Sequence, residues 1–134
     1  MHLSDFTYFL IDDDIDDQEF FCSALEVVSP GSQCITALNG HEALQMLHAG
    51  RVKPDFIFLD LNMPLMSGFQ FLEEIKKLPE FTKTPIIILS TSSDLISKEK
   101  SLRLGAKNFL TKPHKFSDWE DIIKKQLHIP KIET

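Results

Sequence analysis

Residues Asp12–Asp17 read DDDIDD and place five carboxylates within six positions. Two or three carboxylates, a backbone carbonyl and water make the hard oxygen shell that Mg²⁺ takes, with positions left for phosphate oxygens. Without a cation such a cluster resists full ionisation, because each negative charge disfavours the next. No Lys or Arg precedes Arg51, so no basic side chain nearby in sequence offsets the repulsion. Three further residues belong to the same chemistry: Asp60 in DFIFLDLNMP, Ser90 in PIIILSTSS and Lys112 in GAKNFLTKPH. A carboxylate can attack phosphorus and form an acyl phosphate. A hydroxyl and an ammonium can then hold the remaining phosphoryl oxygens and neutralise charge as it develops.

These residues are far apart in sequence, so a fold must gather them. Strand-like runs occur at Tyr8–Ile11, Cys34–Leu38, Phe56–Leu59, Ile86–Leu89 and Asn108–Thr111, several of them continuously apolar, as strands covered on both faces are. Apolar residues at helical spacing lie between and after them: Phe20, Phe21, Ala24, Leu25 and Val28; Ala43, Leu44 and Leu47; Phe69, Leu72, Ile75 and Leu78. The pattern continues with Leu95, Leu102 and Leu104, then Phe116, Trp119, Ile123 and Leu127. Turn residues such as Asn39-Gly40, Gly50, Pro54, Gly105 and Pro113 punctuate the series. Strands alternating with helices imply a doubly wound α/β domain with a parallel sheet. Ligands in such folds bind beyond the carboxyl ends of the strands. Asp12–Asp14, Asp60, Ser90 and Lys112 each follow or close a strand, so the fold would bring them to one rim.

The bulk numbers bound the function. A chain of 134 residues, 43% hydrophobic and 25% charged, fits one globular domain. A net charge of −6 argues against a nucleic-acid surface. All fourteen basic residues lie from Arg51 onward while residues 1–50 hold nine acids, which implies an acidic face on one side of the fold. Cys22 and Cys34 lie in apolar segments without metal-ligand spacing, and are expected to be reduced, mostly buried thiols of a cytosolic protein. No signal-peptide pattern is visible, and the aliphatic run Ile86–Leu89 is far too short to cross a bilayer. A cytoplasmic, single-domain protein with no membrane contact is expected, its core over about residues 6–128 and a short tail over 129–134.

With Asp12-Asp13 after the first strand, D-x-N-M-P-x-M-x-G as Asp60–Gly68, Ser90 and Lys112-Pro113 in this order, the chain resembles the receiver domain of two-component response regulators. The resemblance runs from Tyr8 to about Leu127. It implies a flavodoxin-like sheet of five parallel strands in the order 2-1-3-4-5 with five helices, and a signalling switch rather than an enzyme. Asp60 would accept a phosphoryl group from a phosphohistidine of a sensor histidine kinase. Asp13, Asp60 and the carbonyl of Asn62 would ligate Mg²⁺, with Asp12 acting largely through water. Ser90 would reach a phosphoryl oxygen, and Lys112 would pair with the phosphate and Asp60. Phe109 stands at the switch-aromatic position, where Tyr is more common, and would fill the space vacated as Ser90 moves. Other departures are Ser67, where Asp is frequent, Thr91 where Ala is, and His114 where an apolar aromatic is. The loop Pro79–Thr84 and the run STSSD look similar to small stand-alone regulators partnered with phytochrome-type kinases.

Competing readings come from the same residues. A calcium loop over Asp12, Asp14 and Asp16 would need Gly and Glu where Asp17 and Ser23 stand. Asp16 with Glu19 makes a capping-box signature, and acids there suit the helix dipole. Ser93 or Asp94 is expected to cap the fourth helix. A haloacid-dehalogenase-like Mg²⁺ phosphatase, with Asp12 and Asp14 as its D-x-D, would leave Asp60 and the motif behind it unexplained. A pseudo-receiver is disfavoured because every chemical position is filled, and a flavodoxin-like cofactor binder because no hydroxyl-rich phosphate loop follows the first strand. Only HIPKIET follows the last helical pattern, so output is expected through contact with a downstream protein or a histidine phosphotransferase. The resemblance points to the fourth helix, fifth strand and fifth helix as the contact face, here carrying Lys98, Lys100, Arg103 and Lys107. Kinase docking is expected near the acidic start of the first helix, and a homodimer and a monomer both remain open.

Overall fold

A computed structural model describes residues 6–133, with side chains described as far as Gln126. Strands β1 (Thr7–Ile11), β2 (Gln33–Ala37), β3 (Phe56–Leu59), β4 (Ile86–Ser90) and β5 (Asn108–Thr111) form one parallel sheet in the order β2-β1-β3-β4-β5. Helices α1 (Ile15–Val28), α2 (Gly40–His48), α3 (Gly68–Ile75), α4 (Leu95–Arg103) and α5 (Phe116–Glu133) alternate with them, and a single 3₁₀ turn covers Pro79–Phe81. The five strands expected from the sequence are all present within one residue at either end. The strand order reverses between β1 and β3, which makes the carboxyl ends of those two strands the switch point of the sheet.

Strand alternation sorts the apolar side chains to two cores. Phe9, Ile11, Ile57, Leu59, Ile86, Ile88 and Phe109 face α2 and α3, where Ala43, Leu47, Phe71, Leu72 and Ile75 cover them. Tyr8, Leu10, Phe56, Phe58, Ile87 and Leu89 face the opposite way, against Phe21, Ala24 and Leu25 of α1 and Trp119 and Ile123 of α5. Continuous apolar sequence in β1, β3 and β4 thus reflects cover on both sides.

Several details depart from the sequence expectations. Cys22 and Cys34 are joined in a disulfide that ties α1 to β2, with Cα atoms 5.8 Å apart. Their sequence context, free of any CxxC spacing, gave no sign that a helix turn and an edge strand would bring the two sulfurs together. Asp14, not Asp16, caps α1: its carboxylate accepts from the Asp17 N–H, and Asp16 lies inside the first turn. In α4 the spacing of Leu95 and Leu102 does not mark a buried face, for both are exposed with Ile96, and Ser101 is the buried residue. Asp94 is its N-cap. The backbone of α5 continues to Glu133, so the segment expected as a tail after residue 128 is helical. Lys124, Lys125 and Gln126 are good helix formers, and no turn signal precedes Pro130. Leu127 falls where side chains are not described.

Candidate functional site

Asp12 follows β1, Asp60 follows β3, Ser90 closes β4 and Lys112 follows β5, so all four sit at the carboxyl edge. Backbone hydrogen bonds fix three of these positions: the Asp12 N–H donates to Ala37 O (3.0 Å), that of Asp60 to Ile11 O (2.9 Å) and that of Lys112 to Ser90 O (2.8 Å). Asp12, Asp60, Ser90 and Lys112 are all buried, whereas Asp13 is exposed at the mouth.

The loop after β3 is shaped by close approach. A Cβ on Gly68 would lie 2.5 Å from the Asp60 carbonyl oxygen and 2.8 Å from Leu61 Cα, so only glycine lets α3 start against the site. Ser67 caps that helix in a reciprocal pair with Gln70. Leu65, 83% exposed, takes a left-handed backbone (φ 69°), a conformation that costs a non-glycine residue roughly 1–2 kcal/mol.

Carboxylate oxygens of Asp12, Asp13 and Asp60 lie within 4.8 Å of one another. Asp12 Oδ2 is buried without a hydrogen-bond partner, although the Lys112 ammonium approaches it to 2.9 Å. Hard oxygen donors in this number fit a divalent cation such as Mg²⁺. The Asn62 side is open as well: Asn62 is exposed, and its N–H reaches Asp60 Oδ1 only at 3.5 Å.

Burial governs the protonation of the site. It pushes Asp60 up from 3.8 to about 7; Lys112 and the Asn62 N–H oppose the rise, while Asp12 and Asp13 add to it. Asp12 is also raised by burial, against the pull of the Asp14 N–H and Lys112. Burial alone would lower Lys112, but Asp17, Asp12 and Asp60 outweigh it and hold the ammonium charged. The Ser90 hydroxyl oxygen accepts from the Ser92 N–H at 3.1 Å, and its own proton has no acceptor among the described residues.

The side chain of Lys112 goes where the sequence did not foretell. Its ammonium lies 2.9 Å from Asp17 Oδ2 and 2.9 Å from Asp12 Oδ2, but 3.7 Å from Asp60 Oδ2. Asp17 was legible only as a first-turn acid or a partner-facing charge, because its cation is 95 residues away. Gln18 was missed outright: its amide donates to Asp12 O at 2.8 Å and to Ala37 O at 3.3 Å, fastening the start of α1 to β1 and β2. Phe109 is buried in the same core as Ile88, and strand alternation puts it on the same face of the sheet as Ser90.

The sequence model of the response regulator receiver domain matches residues 8–124. The chain belongs to that family. Receiver domains are the phosphoacceptor switches of two-component signalling; they bind Mg²⁺ or Mn²⁺ in an acidic pocket and interact with sensor histidine kinases and downstream effectors. Protein PilG of Pseudomonas aeruginosa is 36% identical over 100 residues, spanning 75% of this chain and 71% of that protein. The chain is 28% identical over 126 residues to the sensor histidine kinase CheAY of Helicobacter pylori, 94% of this chain but only 15% of that much longer protein. Among solved structures, the phosphorylated cyanobacterial phytochrome response regulator RcpA superposes with a TM-score of 0.83 at 30% identity, covering 93% of this chain and 91% of that one. The Mn²⁺-bound form of response regulator Rcp1 gives 0.81 at 25% identity, over 90% and 91%. None of these comparisons favours the phosphatase reading, and Asp14, the second acid that reading requires, is the cap of α1. No helix among the described residues is long and apolar enough to cross a membrane.

Proposed function

We propose that Asp60 is the phosphoacceptor, receiving its phosphoryl group from a phosphohistidine of a sensor histidine kinase or histidine phosphotransferase. The observation that carries this reading is the buried Asp60 carboxylate at the switch point, flanked by Asp12, Asp13 and Lys112. A carboxylate oxygen of Asp60 attacks phosphorus, an O–P bond forms, and the N–P bond breaks with its electron pair returning to the imidazole. Asp12, Asp13, Asp60 and the Asn62 carbonyl would hold Mg²⁺, whose charge neutralises the aspartates and the phosphoryl oxygens when it is bound. Ser90 donates its free hydroxyl proton to a phosphoryl oxygen, and Lys112 supplies positive charge on the other side.

Movement of Ser90 towards the phosphoryl group would leave space on the face it shares with Phe109, and inward motion of Phe109 would carry the change to α4, β5 and α5. That surface exposes Leu95, Ile96 and Leu102 beside Lys98, Lys100 and Arg103, a mixed apolar and basic face suited to an acidic partner. The kinase would dock at the opposite side of the rim, where Asp16, Glu19 and the edge-to-face pair Phe20–Phe116 are exposed. The likeness to a phytochrome response regulator makes a phytochrome-type kinase the first donor to try.

Titration with beryllofluoride and Mg²⁺ tests the assignment. Binding by the wild-type chain that Asp60→Asn abolishes is expected; binding that survives the substitution would move the acceptor elsewhere.

A further inference from the structure

We propose that Asp17 is a positioning residue of the phosphoryl site: it draws the Lys112 ammonium towards α1, and Lys112 exchanges Asp17 for a phosphoryl oxygen when Asp60 is acylated. The inference rests on the assignment of Asp60 as acceptor and adds a competitor for its lysine.

Lys112 has little choice of place but some choice of partner. Its backbone is pinned to Ser90, and its side chain is only 8% exposed. An ammonium has three N–H donors to share. In this structure a hydrogen bond of 2.9 Å goes to Asp17, an equally close approach to Asp12, and Asp60 is left at 3.7 Å, beyond hydrogen-bonding distance. The acceptor therefore has the weakest hold on the cation that must neutralise its product.

Asp17 is prepared for this contact. Its N–H is held by the Asp14 cap at 3.1 Å, and the adjacent Gln18 amide is fastened to Asp12 O and Ala37 O. The first turn of α1 is thus locked to the ends of two strands, and the Asp17 carboxylate, 19% exposed, points its oxygen at the site. Asp16 next to it is exposed and makes no ion pair among the described residues. Proximity in sequence therefore does not confer the role; of these two neighbours, Asp17 alone meets Lys112.

A phosphoryl group on Asp60 brings oxygens of greater negative charge than a single carboxylate, and drawing the Lys112 ammonium towards them weakens its 2.9 Å pairing with Asp17. The half-buried pair opposes acylation by the strength of that bond. Removing the competitor should therefore tighten binding of a phosphoryl mimic, whereas removing a merely structural anchor would weaken it.

The test is a beryllofluoride titration at saturating Mg²⁺ on wild type, Asp17→Asn, Asp17→Glu and Asp16→Asn, with melting temperatures recorded for each. Asp17→Asn is expected to bind roughly fivefold more tightly, the size of one modest ion pair. Asp17→Glu, which restores the charge, should return towards wild type, and Asp16→Asn, which removes the same charge without touching Lys112, should not tighten binding. Unchanged or weaker binding by Asp17→Asn, or an equal gain in Asp16→Asn, would overturn the inference. A wild-type chain that binds no beryllofluoride would instead overturn the phosphoacceptor assignment beneath it.

Discussion

Helices α1 and α4 flank the same site and are held in opposite ways. α1 buries Phe21, Ala24 and Leu25 against the sheet and α5, is fastened at its start by Gln18 and Asp17, and is joined to β2 through Cys22–Cys34. α4 buries only Ser101, whose hydroxyl turns back to Ser97 O, and leaves Leu95, Ile96 and Leu102 in solvent. Lys100 of α4 lies over the Phe69 ring, a cation–π approach at 4.4 Å. A rigid element beside the proposed acceptor would preserve the geometry of transfer. A loosely held one can change position at little cost, as an output element must.

This contrast can be broken by mutation. Phe21→Ala should destabilise the chain most, by about 3–5 kcal/mol in denaturant unfolding, because it empties a fully buried ring site. Reduction of Cys22–Cys34, which spans 12 positions, should lower stability by about 3 kcal/mol, with the loss annulled in a Cys22→Ser background where no bridge forms. If α1 owes its fixity to packing and Asp17 as well as the bridge, hydrogen exchange in its first turn should remain slower than in α4 after reduction.

A pH-dependent effect follows from Asp60 itself. Its acid is held up to about 7 against an ordinary 3.8, so the native state binds that proton more tightly than the unfolded chain does. The associated stability is present in full below the ordinary value and is lost as pH rises through about 7. Without divalent cations, Asp60→Asn should therefore melt higher than wild type at and above neutral pH, and the gap should close as pH falls towards 4–5, read by thermal scans. Smallest of all, Leu102→Ala on α4 should change stability by no more than about 0.5 kcal/mol. A loss there as large as that of Phe21→Ala would erase the distinction between the two helices.

The sheet and its order were legible because strands covered on both faces are nearly continuous apolar runs, and the chemical residues were legible because each ends such a run. The division of DDDIDD was only half legible. Asp12 and Asp13 do face Asp60, but the cap is Asp14, and Asp17 serves a lysine that only the tertiary fold brings near. α4 misled because Leu95 and Leu102 at helical spacing look the same whether they face a core or a partner, whereas Leu104 just beyond the helix does pack against the core. Cys22 and Cys34 were hidden for a similar reason, since pairing depends on the approach of a helix to an edge strand.

The central claim is that the acid at the β3 edge is where phosphoryl chemistry occurs. Intact-protein and peptide mass spectrometry after incubation with a phosphorylated histidine kinase and Mg²⁺ tests it most directly. A single phosphoryl group on Asp60, lost on Asp60→Asn and labile as acyl phosphates are, is the result the structure predicts. A phosphoryl group on Asp12, Asp13 or a hydroxyl side chain, with Asp60→Asn labelled as fully as wild type, would contradict it.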